Sequence, residues 1–353
     1  MKNFLLVQTT TKSKIQLKRR NKEIDIIKGF SCISVIYIHC PIPGFIGKCI
    51  LAISRYAVPF FFFISGYYFL NSNLEITNSR IFMKIRHILA LLRKNSLFYC
   101  IFCILFNILK DRSWNIKEFT QSLFNKKKIV KFILFNCPFK YLHIWFILAL
   151  LYCYLFMLLL SSINSNIIKN SFFEYFIICF GIIGYHLLTE FGRMKLIRII
   201  KIIFKYKLDI SHFFIFRAFP FFALGILIRK KKIRPIQSSY LILVFIFGSL
   251  LSCIEQYLFK MPLNSYIGTY FQLVSLISFC FKNKNNYSKA IMFISYIGRE
   301  LSDKIYYYHI AVKSAIDILY IKGIINKKLF FNLQFIFVLI STIIFSQIMK
   351  KLE

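Results

Sequence analysis

The sequence predicts an all-α, polytopic membrane bundle of about ten transmembrane helices, and three observations predict it. Of the 353 residues, 58% are hydrophobic and 19% aromatic, with 43 Phe. The apolar residues fall in successive runs near the ~20 residues that span a bilayer. The 48 Lys and Arg residues, against 13 Asp and Glu, lie mostly between those runs. The short alternating segments of a membrane barrel are missing. A backbone in lipid must satisfy its polar groups within each segment, which leaves helices.

Residues 1–24 read as a basic cytoplasmic leader, with KSKIQLKRRNK near its end. No small-residue cleavage site follows the first apolar stretch, so that stretch is expected to stay as a helix. Helices are then expected over 25–41, 50–70, 92–109, 142–161, 171–190, 212–229, 239–258, 264–281, 290–310 and 330–349. Together they form one membrane domain, 25–349, followed by a short cytoplasmic tail, 350–353. Pro59 implies a kink or a helix start in the second run. Ser65-Gly66 permits close helix contact. Residues 191–211 repeat bases among Ile, Leu and Phe at helical spacing. They read as an amphipathic helix lying on the membrane, with a solvated loop as the alternative. No internal repeat stands out, which argues against an inverted-repeat transporter.

The short loop RKKKIR, Arg229 to Arg234, agrees with the basic leader in placing both termini in the cytoplasm of an inner (plasma) membrane. A net charge of +35 on a soluble chain would suggest nucleic acid. Here no nucleic-acid-binding motif is present. The expected partners are membrane lipids with anionic headgroups, or a phosphate-bearing substrate. Most of the ten cysteines sit inside apolar runs, where they act as small hydrophobes. No metal site is expected.

The chemistry concentrates in residues 25–39, DIIKGFSCISVIYIH. On an α-helix Asp25 and His39 lie about 21 Å apart along the axis but only about 40° apart around it. Lys28 and His39 differ by about 20°. Asp25, Lys28, Gly29, Cys32 and His39 therefore share one stripe. Charge in an apolar helix is expensive and faces a cavity or a partner. Taken alone, His39 also fits a residue that touches headgroups at a helix end.

Further stretches follow in order: SRYAVPFFFFISGYYF (54–69), HIWFILALLY (143–152), RAFPFFALGILIRK (217–230) and ISYIGRELSDKIYYYHI (294–310). The set resembles the membrane-bound acyltransferase 3 family, which O-acetylates surface glycans. Asp25, Lys28 and His39 have the spacing of the family's first-helix acid, base and histidine. Val58 to Tyr67 matches its VPxFFxISGY-like stretch. Trp145-Phe146 matches the WF pair of its fourth helix. Phe222 to Gly225 matches a late FxxG. Ile305, Tyr306 and His309 match an iYxxH-like ending. The joint order covers about residues 20–349. Lys28 stands where the family usually has arginine, keeping the charge but losing the planar fork. The family's arginine pair and proline at the third helix have only a loose counterpart in Arg80, Lys84, Arg86 and Arg93.

The resemblance implies transfer of an acetyl group from acetyl-CoA, as substrate and not as a resident cofactor, to a hydroxyl of a surface polysaccharide or its lipid-linked precursor. Such a transfer needs a base for the hydroxyl, stabilisation of an oxyanion and a held donor. His39 is expected as the general base. Asp25 is too distant along the helix to orient it, which leaves Glu190 or Glu255 as candidates. Asp25, Lys28, Lys84 and Arg86 are expected at the donor, their alternatives being a structural pair and a topology signal. His143, Trp145, Arg217 and His309 are expected at the acceptor or the transition state. For His143 and Trp145 an interfacial aromatic belt is the alternative. Arg217 suits oxyanion stabilisation, a substrate phosphate or an ion pair. His87 and His186 lie off this constellation. The competing function is a flippase or carrier for a lipid-linked saccharide.

Overall fold

The computed structural model describes residues 21–70, 78–110, 130, 144–163, 171–187, 213–231, 237–259, 262–282, 286–324 and 326–352. They form helices and connecting turns, with no strand among the described residues. The leader before residue 21 and the expected surface helix 191–211 lie outside the described residues.

The first helix, α1 (Lys22–His39), is capped by Asn21, whose side chain accepts from the Ile24 N–H at 2.9 Å. Glu23 and Asp25 in its first turn complement the helix dipole. The chain reverses through two prolines and Gly44, whose φ of +93° suits glycine. Helices α2 (Gly44–Ser54) and α3 (Ala57–Tyr67) follow, interrupted at Arg55-Tyr56. Next come α4 (Asn78–Lys110), α5 (Trp145–Ile163) and α6 (Ser171–Tyr185). A single helical turn, Phe214–Arg217, precedes α7 (Phe219–Lys230). Then come α8 (Ser238–Phe259) and α9 (Ile267–Cys280). Helix α10 (Lys289–Tyr296) passes through a five-residue π segment (Ile297–Leu301) into α11 (Ser302–Ile321). Helix α12 (Lys327–Leu352) completes the chain.

Five stretches among the described residues are individually long and apolar enough to cross a membrane: Gly44–Tyr67, Asn78–Leu109, Trp145–Ile163, Ser239–Phe259 and Phe330–Leu352. The others fall short of that standard for physical reasons. Helix α1 carries Lys22, Glu23, Asp25 and Lys28. Helices α6 and α9 are short, and the expected 212–229 run breaks at Ala218. The expected 92–109 helix in fact starts at Asn78. At 33 residues it is about 50 Å long against about 30 Å of hydrocarbon, so an end must project or the helix must tilt.

The largest core joins α3, α5 and α7 through Phe60, Phe62, Phe63, Leu148, Met157, Phe222 and Ile226. A second joins α1 to the π segment, α11 and α12 through Ile36, Leu301, Ile305 and Val338. Glycines set the closest crossings. A Cβ on Gly66 would clash with the Phe222 carbonyl, and one on Gly225 with the Phe63 carbonyl. Gly29 and Gly298 do the same for α1 against α10 and the π segment. Small residues let membrane helices meet backbone to backbone. The Ser-Gly and FxxG motifs therefore meet as two halves of one contact. Every described cysteine is a free thiol.

Candidate active site

The bundle has two chemically distinct ends. At the start of α1, the Asn21 side chain donates to the Cys280 carbonyl at 2.6 Å. Tyr287 donates to Glu23 at 2.9 Å. Lys230 pairs with the buried Glu174 at 2.6 Å. Arg229 donates to the Tyr67 hydroxyl at 3.3 Å, its guanidinium 5.3 Å from that ring. Asp25, 7% exposed, lies within electrostatic reach of Tyr68, as does Arg229. Lys28 is partly exposed beside Cys32. Lys84 and Arg86 stand exposed on α4, the Arg86 guanidinium 6.0 Å from the Phe82 ring.

At the other end of α1 lies a partly open cavity of about 180 Å³. His39, Arg55, Trp145, Arg217, Ser265 and Tyr270 line it, among others. Two prolines explain how the arginines reach it. A proline has no N–H to give the carbonyl four residues before it. Pro59 thus gives no N–H to the Arg55 carbonyl, and Pro220 gives none to that of Phe216. The helices end there and resume immediately, with Phe60 N–H on Tyr56 O at 3.0 Å and Phe222 N–H on Ala218 O at 3.1 Å. Arg55 and Arg217 sit at these two interruptions. The Arg217 guanidinium lies 4.2 Å from the centre of the Trp145 ring, a cation–π contact.

A third element supplies Asn264 and Ser265. Their loop is tied down by Tyr266, which accepts from the Leu263 N–H at 3.1 Å and donates to Gln256 at 2.5 Å. Glu255 accepts from Ile267 N–H at 3.1 Å and Gly268 N–H at 3.2 Å, capping α9. Both its oxygens are thereby engaged in the loop's anchorage, which is a structural reason for a buried acid here. Glu190, the other acid considered for orienting His39, lies outside the described residues.

The group beside His39 is instead His309, with ring centres 5.1 Å apart and a 48° tilt. His309 is 1% exposed. Its Nδ1 lies 2.9 Å from the carbonyls of both Ile305 and Tyr306. Carbonyls only accept, so Nδ1 carries a proton. One turn beyond, Lys313 pairs with Asp317 at 2.7 Å, and Gln334 donates to the same carboxylate at 2.7 Å.

The structure therefore brings together His39, Trp145, Arg217 and His309 of the sequence-derived set. It holds Asp25, Lys28, Lys84 and Arg86 away from them. His143 lies outside the described residues. His186 is closer to the cavity than its place in the sequence suggests, with Nε2 2.9 Å from the Tyr270 hydroxyl. Arg55, Ser265 and Tyr270 escaped the sequence reading. For Arg55 a signal existed, because it opens an apolar proline-containing run just as Arg217 does. Among the described residues no cluster of His, Cys, Asp and Glu is arranged to hold a metal ion.

No curated protein and no solved structure matches the chain. A family model described as an acyltransferase domain matches residues 21–351. That match spans both ends of the bundle and every helix between them, and the chain belongs to the acyltransferase 3 family.

Proposed function

We propose that this membrane protein moves an acetyl group from acetyl-CoA to a hydroxyl of a surface polysaccharide or its lipid-linked precursor, with His39 as general base. The observation that carries the reading is the placing of His39 in a cavity with Arg55, Arg217 and Trp145, in a chain of an acyltransferase family. The acceptor hydroxyl enters the cavity and attacks the thioester carbonyl. His39 takes its proton as the C–O bond forms. Arg55 and Arg217 offer N–H donors to the oxyanion of the tetrahedral intermediate. Collapse breaks the C–S bond, and His39 returns the proton to the departing thiolate. His309, held by its own helix carbonyls, packs against the His39 ring and orients it.

The donor's phosphates belong to the other end, where Lys28, Arg229, Lys84 and Arg86 supply charge. That end is cytoplasmic in this reading, with both termini, in an inner membrane crossed by all ten helical runs. The acetyl group then reaches His39 from the inner side, and the glycan reaches it from the outer side. Comparing the surface polysaccharide of cells with and without the protein tests the reading. The mass increment of one acetyl group per modified unit is expected only with the protein present. An unchanged acetyl content, with altered delivery of lipid-linked saccharide, would favour the flippase.

A further inference from the structure

Helices α2 and α8 meet along a seam whose register is read from three contacts. Near one end the Phe45 and Tyr257 rings meet edge to face, with 6.5 Å between centres. Near the other, Tyr56, just beyond α2, meets the Phe245 ring at 6.4 Å. Between them the Cys253 sulfur lies 3.9 Å from the Cys49 carbonyl oxygen, and the two thiols face each other. Residue numbers rise along α2 as they fall along α8, so the helices are antiparallel and hold one register throughout. Ala52, fully buried, packs with Leu263 and Tyr266 beside this seam. A disulfide needs its two Cα atoms about 4.4–6.8 Å apart. A sulfur already at the other cysteine's backbone needs rotation of side chains, and no movement of a helix, to close the bond. Both thiols are partly exposed, whereas Cys32, Cys40, Cys103, Cys153 and Cys280 are buried. Arg55 follows at the end of α2. Glu255 and Gln256, just after Cys253, anchor the loop that brings Asn264 and Ser265 to the cavity. The seam therefore joins two walls of the cavity.

We infer that Cys49 and Cys253 form a disulfide on the outer side of the membrane, tying the wall that carries Arg55 to the wall that carries Ser265. The outer side is that of the orientation proposed above, and it is the side on which disulfides persist. The pair is reduced in the structure. It closes by exchange with a disulfide-bearing oxidant of that compartment. One thiolate attacks the oxidant, forms a mixed disulfide and releases the first thiol. The second thiolate then displaces the oxidant's remaining sulfur, which leaves as the second thiol. Two electrons and two protons pass to the oxidant. The bond links residues 204 apart in sequence. It restricts every state in which α2 and α8 separate, and so stabilises the packed one.

The test uses the full chain and needs no acetyl-CoA. Cells carrying it are lysed in N-ethylmaleimide, which blocks free thiols, and the protein is digested without reductant. Mass spectrometry is expected to find most of Cys49 and Cys253 in one pair of peptides joined through these two residues. Dithiothreitol is expected to separate the pair and to lower the thermal unfolding temperature in detergent by several degrees. Diamide, which takes up the two hydrogens of a thiol pair, is expected to restore both. Cys49→Ser and Cys253→Ser are each expected to unfold at the reduced temperature and to respond to neither reagent. Alkylation of both cysteines at lysis and again after diamide overturns the inference, as does a bond from either one to a different cysteine. An unfolding temperature that dithiothreitol leaves unmoved overturns the tie between the two walls. Thiols that are free at lysis but joined by diamide in detergent overturn the outer placement, and with it the bond in the cell. Acetyl transfer enters none of these readings, so failure of the acyltransferase proposal stays distinguishable from failure of this one.

Discussion

Arg86 shows how differently single residues are expressed in sequence and in structure. In sequence it is one base in a basic stretch. In the fold it is an exposed guanidinium on a helix long enough to carry it clear of hydrocarbon. That position suits a coenzyme phosphate. Arg86→Ala is expected to weaken acetyl-CoA binding about tenfold or more, the worth of one charged hydrogen bond. Equilibrium binding of labelled acetyl-CoA measures it, with circular dichroism to show that the helices persist. His39 and Arg217 were legible because charge or imidazole inside an apolar run is costly and needs a reason. Arg55 obeys the same logic but sits next to a helix interruption, where it resembles an ordinary loop base. The pairing of His39 with His309 was not legible, since no local pattern relates residues so distant along the chain. Only the packing of α1 against α11 brings the two rings together.

Among the elements, α1 is the one whose placement decides the site. Its histidine end was readable, but the expected start at residue 25 missed the first turn, where Asn21 caps the helix and Glu23 stands. Its neighbours were less readable, because interruptions by proline and the π segment depend on which carbonyls find other partners. The crossing of α1 with the π segment is the tightest constraint on it. A methyl group on Gly298 would meet the Asp25 carbonyl and the Gly29 N–H, which are backbone and cannot rotate aside. Gly298→Ala is expected to cost about 1–3 kcal/mol of stability, as overpacking does. By shifting α1 it should also lower acetyl transfer. Gly323 provides the contrast. It has φ +74° and open space around it. Gly323→Ala should cost about 1 kcal/mol in backbone strain and leave activity per folded molecule unchanged. Thermal unfolding in detergent, alongside activity normalised to folded protein, separates the two. Equal losses of activity would remove the α1 crossing from the account.

For the whole molecule, composition established the class of fold, because so many apolar residues in runs near bilayer length leave only a helical membrane bundle. Composition could not say how many runs cross as single helices. Short and broken helices can be sheltered by their neighbours, and hydropathy along one segment does not record that. The proposed orientation rests on the basic short loop after α7 and the basic leader. Reporters fused after Lys351 and within residues 230–234 are expected to read cytoplasmic, and one within 110–141 external. The reverse pattern would put the donor end on the wrong side. The central claim is that the cavity at the far end of α1 performs acyl transfer with His39 as its base. Its most direct measurement is acetyl incorporation into the surface polysaccharide by His39→Ala and His39→Gln, each normalised to protein level in the membrane, with His87→Ala as control. A general base contributes on the order of 10²- to 10⁴-fold, so both His39 variants should fall to near background while His87→Ala stays close to wild type. Near-normal acetylation by both His39 variants at normal protein level would contradict the account and leave the stripe from Asp25 to His39 a structural feature.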